Sequence, residues 1–515
     1  MLWAVVLALG TVGAAPAGNA AAGHAPGAAA GPDSFAVVEN YGAAFDRLAT
    51  EITAQLPKKK VLLVWVLDRS LSMDDDRDRI ASGIERLYQE VGKAPNAQPD
   101  DLMMGVVGYT NTAQSQTPKP TANPQEVRAA IRAVKPDTSS APSEMQCDAI
   151  AFANDTFSRA ARSGGRQLIL VLATDESGDA ATNVSKLEAT IKRVKDAKCI
   201  VHVLGIEAVF GLPSANKTWV DKATNTTHRL QSDRGPETAQ PEVLLHDGYR
   251  RRTDMIPSGF GPYEQMRIAR ETGGIFLMLP SDEMSLAARD AGKIDAEALR
   301  PYLPDLEARD KYATERDKSK LRKAVAKIVA DLDPLQAAKA PRIEMNMGPL
   351  PLVQAQFSAA AAEEMKKAQS VIKYLQQAQK ELEAVAGERA KETSPRWRAN
   401  YDLLYAQVVA YQARLTEYGW QLAEAAKKLP PLKMAAGPRP TTGWYVATVE
   451  TLIKPTVSEP LRDKAAGLLR EIQKEYPATP WAQAAKSELE RGYGVELREG
   501  REESRGRTGF GAPRF

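Results

Sequence analysis

Between residues 36 and 292, short apolar runs alternate with amphipathic stretches. Residues 61–67 (VLLVWVL) are an unbroken apolar run, the pattern of a strand buried on both faces. Residues 78–91 follow, with Ile80, Ile84, Leu87 and Val91 at helical spacing. The same alternation predicts strands at 102–109, 167–173 (QLILVLA), 200–205 and 275–279, and helices at 125–134, 147–161, 186–197 and 262–272. Strands and helices in this order imply an α/β fold, a doubly wound and mostly parallel sheet with helices on both faces. Residues 207–257 are too long for an ordinary connection and read as an insertion. Within it, 218–221 and 227–230 predict a hairpin across 222–226. Gly259 and Gly261 are not followed by a lysine or preceded by a strand, so they supply backbone freedom and not a phosphate loop.

The second half changes period. Residues 293–355 are mixed, with a helix over 319–330 expected to pack on the α/β domain. Then Met365, Ala368, Ile372, Leu375 and Leu382 take heptad core positions, with Gln379 as the polar exception. After Ser394-Pro395 a second stripe runs through Trp397, Tyr401, Leu404, Val408, Tyr411, Leu415, Tyr418 and Leu422. Two long amphipathic helices with a short join predict an antiparallel hairpin over 356–429, its aromatic stripe a packing seam. Beyond a proline-rich break, 441–492 predicts three short helices (444–453, 460–474, 480–491), and 493–515 a disordered Gly/Arg-rich tail.

Composition narrows the function classes. Over 515 residues the net charge is only +3, too small to point to nucleic acid or to an anionic membrane surface. Two cysteines and four scattered histidines exclude a disulfide scaffold and leave little for a thiolate or imidazole metal centre. Cys147 opens a helix at one sheet edge and Cys199 begins a strand at the other. A six-residue strand spans about 20 Å, so the two are expected to be free, buried thiols. At the N-terminus a short apolar core and small residues over 1–17 read as a signal peptide, followed by an Ala/Gly-rich linker over 18–35. The competing reading is a buried N-terminal helix. Export predicts a periplasmic, cell-surface or secreted protein, held at a membrane only if the N-terminal segment is uncleaved.

The chemistry sits where strands end. Residues 61–67 run straight into Asp68-Arg69-Ser70-Leu71-Ser72, and 167–173 into Thr174-Asp175-Glu176; Glu144 precedes the helix at 147. One carboxylate and two hydroxyls leaving a strand suit a hard cation, Mg²⁺ or else Mn²⁺ or Ca²⁺, which takes oxygen ligands. An Asp or Ser in such a place can also serve only as a helix N-cap.

DRSLS after an apolar strand, followed by LVLATD, resembles the von Willebrand factor type A (VWA) domain and its metal-ion-dependent adhesion site, over about residues 58–292. The resemblance implies that Asp68, Ser70 and Ser72 form one ligand loop and Asp175 another. The family's middle loop supplies a threonine five residues before an Ala-Leu-like pair; counting back from Ala149-Ile150 reaches Glu144, with Thr138 and Ser139 as alternatives. Three carboxylates would neutralise a dication, leaving a site that holds its metal tightly and attracts an acidic partner less. Asp74, Asp75 and Asp76 resemble the integrin β-subunit arrangement, which holds an adjacent cation; the other reading is an acidic helix N-terminus. The insertion, SGFGPY and ETGG are similar to those of large exported bacterial VWA proteins, and EIQKEYPATPWAQAAKSEL resembles one tetratricopeptide helix pair, which must pack on neighbours.

The expectation is therefore a non-enzymatic exported protein, a metal-bearing VWA head on a helical stalk, binding an unidentified protein and no nucleic acid. Its rivals are a helical scaffold with a structural VWA domain, and a metal-assisted hydrolase. The last is disfavoured, since neither a G-x-S-x-G nucleophile nor a phosphate loop occurs.

Overall fold

The computed structural model describes residues 34–95, 97–137, 143–221, 226–280, 296–334, 344–432 and 441–500, without the side chains of 216–231. The signal peptide and most of the linker, Thr138, Ser139 and residues 501–515 of the tail lie outside the described residues.

In chain order the first half forms β1 (Phe35–Val37), α1 (Tyr41–Thr53), β2 (Lys60–Asp68), α2 (Asp74–Gly92), β3 (Leu102–Tyr109), β4 (Ala113–Ser115), α3 (Pro124–Arg132), α4 (Gln146–Ser163), β5 (Arg166–Ala173), α5 (Ala180–Asp196) and β6 (Ile200–Ile206). The hairpin β7 (Ser214–Asp221) and β8 (Thr226–Asp233), then α6 (Tyr263–Glu271) and β9 (Phe276–Leu279), complete it. Seven of these strands make one sheet in the order β1-β9-β6-β5-β2-β3-β4, parallel except for β4. The doubly wound α/β sheet expected from the sequence is the fold. Three-residue β1 and helix α1 add to it. Strand β1 is too short to stand out in the sequence, whereas α1 has Asn40 as its N-cap and buries Ala44, Phe45, Leu48, Ala49 and Ile52 at helical spacing, a pattern that sequence reasoning missed.

Strand β2 shows why its run is apolar throughout. Val61, Leu63, Trp65 and Leu67 point into a core under α1 and α2, while Leu62, Val64 and Val66 point into the opposite core under α4 and α6. Each such side chain, fully buried, contributes roughly 1.5–3 kcal/mol. Register follows: Asp68 stands opposite Tyr109 of β3, and Leu67 opposite Ala173 of β5. Asp68 and Asp175 therefore emerge at the same sheet edge.

The predicted hairpin of long helices forms as Gln354–Ala384 and Pro395–Lys427. Ser394 caps the second by accepting from the Trp397 N–H, with Pro395 at the first helical position. The heptad stripe from Trp397 to Leu422 is buried, and the polar exception Gln379 is satisfied across the seam by the Gln412 side-chain amide at 2.8 Å. Cys147 and Cys199 are free and buried.

Three expectations are corrected. Residues 444–449 are not helical: β10 (Gly443–Val449) pairs antiparallel with β11 (Gly494–Gly500), so the first residues of the supposed tail are a strand. The two remaining helices are Pro455–Glu475 and Pro480–Glu490. Third, the helices are not a stalk. One core joins Val64, Leu170 and Phe276 of the sheet to Leu375, Leu404, Tyr418 and Val495 of the helical half.

The insertion makes that union. Arg396 donates to Glu237 at 2.6 Å and to Glu242 at 2.5 Å, all three side chains being almost wholly buried. Phe210 packs edge-on against Trp481 at 5.1 Å, and the Tyr411 hydroxyl reaches the His246 carbonyl. From Ser34 onward the chain is one compact unit. Among the described residues no helix is long and apolar enough to cross a membrane.

Candidate metal centre

Three loops meet beyond the carboxyl ends of β2, β3 and β5. In the first, the Ser70 N–H donates to Asp68 Oδ1 at 2.7 Å, turning the chain so that the Ser70 and Ser72 hydroxyls lie 3.1 Å apart. Buried Arg77 on α2 holds this turn, donating to the carbonyls of Asp68 (2.7 Å) and Ser70 (3.0 Å). The second loop is stitched to the first by the Asp137 N–H donating to the Arg69 carbonyl, and it carries Glu144. The Glu144 carbonyl accepts from the N–H groups of Gln146 and Asp179, which fixes its position before α4. Gly178, with φ +80°, lies so close to this carbonyl that a side chain would collide with it.

The third loop follows β5. Thr174 donates its hydroxyl to Asp68 Oδ2 at 2.8 Å, and Asp175 and Glu176 come next. Gln146 of α4 and Gln265 of α6 both donate to the Glu176 carbonyl, at 2.8 and 2.7 Å. The base of the inserted hairpin is tied here too: the Asp233 N–H donates to Glu176 Oε2 at 3.2 Å, and the Ser177 N–H to the Asp233 carbonyl at 2.6 Å.

Of the residues expected from the sequence, Asp68, Ser70 and Ser72 form a compact group, and Glu144 and Asp175 stand beside it. Glu144 and Asp68 lie close enough to act on one another, and the Asp175 charge acts on both. Burial first, then the Asp175 charge, pushes the Asp68 carboxyl up to about 6. Burial and the Asp68 charge hold Glu144 well above the usual carboxylate range. Glu176 is pushed up to about 9 by burial and then by Asp175 and Asp68. Thr174, Glu176, Arg77 and Gln265 were missed by sequence reasoning. Thr174 and Glu176 flank Asp175 and could have been found from their position, whereas Arg77 and Gln265 arrive from helices.

The residues fit a hard cation. Adjacent ligands on an octahedron with Mg²⁺–oxygen bonds of 2.0–2.1 Å lie about 3 Å apart, the separation of the two serine hydroxyls. Glu144 Oε2 is buried with no hydrogen-bond partner, an arrangement that a ligand or its water would satisfy. Among the described residues no three His, Cys, Asp or Glu side chains converge closely enough to hold a metal by themselves. An ion here would rest on hydroxyls and water as well as carboxylate, the mixture that Mg²⁺ accepts. Asp74 to Asp76 are engaged as a helix N-terminus: Asp74 pairs with Arg77 at 2.9 Å and Asp76 with Arg79 at 2.8 Å.

The model of the von Willebrand factor type A domain family matches residues 63–235. No curated protein matches the chain. Among solved structures, one similar chain is proximal thread matrix protein 1 from the mussel byssus, described with a zinc occupied MIDAS motif: 15% identity and a TM-score of 0.24, over 29% of this chain and 38% of that one. A second crystal form of the same mussel protein matches at 16% identity and a TM-score of 0.21, over 29% of this chain and 36% of that one. These matches span less than half of either protein. The family match stops at Gly235, inside the insertion, while the sheet runs on through β9. Residues 63–235 of this chain are a von Willebrand factor type A domain.

Proposed function

We propose that the VWA domain binds a divalent cation, Mg²⁺ before Mn²⁺ or Ca²⁺, through Asp68, Ser70 and Ser72, with Glu144 and Asp175 beside it. The bound ion would mediate adhesion to, or interaction with, another protein outside the cytoplasm. VWA domains are typically non-catalytic interaction modules, which supports a non-enzymatic role. One observation carries the reading: the Ser70 and Ser72 hydroxyls, 3.1 Å apart, share a rim with buried Asp68 and with the unpartnered Glu144 Oε2. There, burial and then the Asp175 charge raise Asp68, burial and then the Asp68 charge raise Glu144, and a dication would favour the charged form of both.

When bound, the ion supplies a Lewis-acidic position for an oxygen ligand from a partner. The chain's own residues do the rest. Thr174 and the Ser70 N–H aim the two oxygens of Asp68, Arg77 braces the loop from behind, and Glu144 adds negative charge. With three carboxylates near a double positive charge, the rim retains net negative charge, which favours a neutral or basic partner surface over an acidic one.

Calorimetric titration of Mg²⁺ and Mn²⁺ into the full chain tests the site. Saturable binding is expected, lost in Asp68→Ala and weaker in Glu144→Thr than in the natural sequence. Tighter binding by Glu144→Thr overturns the role given to Glu144, and no binding at millimolar metal overturns the centre. For the partner, capture by the natural chain and by Asp68→Ala should differ. Equal capture would favour the helical scaffold reading. Against that reading, the helices Pro455–Glu475 and Pro480–Glu490 turn their apolar faces onto Pro395–Lys427 and the insertion, and none of the exposed large hydrophobic residues lies on them.

A further inference from the structure

The opposite edge of the sheet carries a feature that the metal centre does not use. A cavity of about 350 Å³ opens at the amino end of β5, between the last turns of α4 and α5. Its wall includes Lys59, Arg162, Arg166, Lys198 and Asp196. Four cations against one carboxylate leave the lining at +3.

The carboxylates nearby are already engaged. Asp196 pairs with Lys192 at 2.6 Å, and Asp100 with Lys60 at 2.6 Å and Arg166 at 3.4 Å. Arg166 is further anchored as a rigid back wall, donating to the Asp100 carbonyl at 2.6 Å. Lys59, Arg162 and Lys198, by contrast, are exposed and make no ion pair among the described residues. Lys198 sits at φ +55°, a left-handed turn held by its own N–H donating to the Lys195 carbonyl and by Gln167 donating to the Lys198 carbonyl at 2.6 Å. With the Cys199 N–H donating to the Val194 carbonyl, this is the left-handed cap that ends α5, and it sets a third cation at the mouth of the cavity.

Cations close to two helix ends would by themselves compensate the negative poles of α4 and α5. That explanation accounts for the lysine's place but needs no cavity between the two helix ends. The volume lies in the range of small-ligand clefts, which begin at roughly 300 Å³.

We propose that this cavity binds a small polyanion, a molecule with two or more adjacent phosphoryl or carboxylate groups, between Lys59, Arg162 and Lys198. Strand β5 separates this pocket from the metal centre by eight residues, roughly 25 Å, so the two act independently.

Inorganic tripolyphosphate titrated into the metal-free full chain, by calorimetry at low salt, is the test. Citrate in a parallel titration separates phosphoryl from carboxylate chemistry, and tighter binding of either supports the site. Saturable one-to-one binding is expected, at least tenfold weaker in Arg162→Gln/Lys198→Gln and weaker again on adding salt. Asp68→Ala should bind as the natural sequence does, within twofold. Both substituted positions are exposed, and an unchanged thermal midpoint confirms that the double variant is folded. Absence of saturation at millimolar concentration for both anions, or equal affinity in the double variant, overturns the proposal and leaves the cations as helix-end counter-charges.

Discussion

Replacing Arg396 by methionine should cost this protein roughly a third of its stability or more. Arg396 lies in the first turn of helix Pro395–Lys427, where a cation is disfavoured by the helix dipole. It is retained there by two glutamates of the insertion: Nη2 donates to Glu237 at 2.6 Å and Nε to Glu242 at 2.5 Å. The guanidinium also lies over the Trp481 ring at 5.3 Å. The two carboxylates have further donors, Gly211 N–H for Glu237 and the Tyr312 hydroxyl and Asn400 amide for Glu242, but among the described residues neither makes a second ion pair. Arg396→Met would leave both buried without their ion-pair partner. Breaking a buried pair by removing one partner costs about 3–5 kcal/mol, against a total stability of about 5–15 kcal/mol. Urea unfolding followed by far-ultraviolet circular dichroism, with thermolysin cleavage in the insertion as a local probe, measures it. Adding Glu237→Gln to Arg396→Met should recover part of the loss, because the amide removes one stranded charge. A loss below about 1 kcal/mol, or no recovery in the double variant, would refute the claim that these charges join the insertion to the helices.

Thr174→Val removes the hydroxyl that aims Asp68 Oδ2 without touching the proposed ligands, and should weaken Mg²⁺ binding about tenfold; unchanged affinity in a calorimetric titration would contradict that positioning role. Buried His202, held at about 4 by burial, stays neutral in the folded chain while the unfolded chain takes up a proton near its ordinary value of about 6.5. Its contribution is therefore full above pH 6.5 and falls as pH drops towards 4, by about 3 kcal/mol at most. His202→Gln keeps an acceptor for the Ile275 N–H, so the difference in unfolding free energy between it and the natural sequence should drift by that amount over this window, and a flat difference would count against the assignment. Gly261→Ala would place a methyl well inside van der Waals contact with the Phe276 ring, and should lower stability by about 1–3 kcal/mol in thermal unfolding.

Asp68 and Asp175 were legible because each ends an apolar strand, and parallel neighbours in register deliver their ends to one rim. The chemistry of Ser70 and Ser72 followed from their spacing after Asp68. Position 144 was reached only by counting along a family pattern; what holds it is the Asp179 N–H, supplied by a later loop. Arg77 reads in the sequence as one more charge on a polar helix face, yet it is buried against two loop carbonyls.

The chain's local pattern determined the sheet, its flanking helices and the long hairpin, because periods of two and of three to four residues select strand and helix wherever one face must leave water. It did not determine how the halves join. Residues 443–449 and 494–500 each look marginal alone, and become strands because each supplies the other's backbone partners across 44 intervening residues, with Met347 and Leu350 pairing along the far side of 443–449. The insertion looks polar and superfluous by itself, yet its Glu237 and Glu242 are stable in the interior only when Arg396 arrives from more than 150 residues away. Pairing of backbone groups and of buried charges is settled by which distant segments meet, and only the tertiary structure decides that.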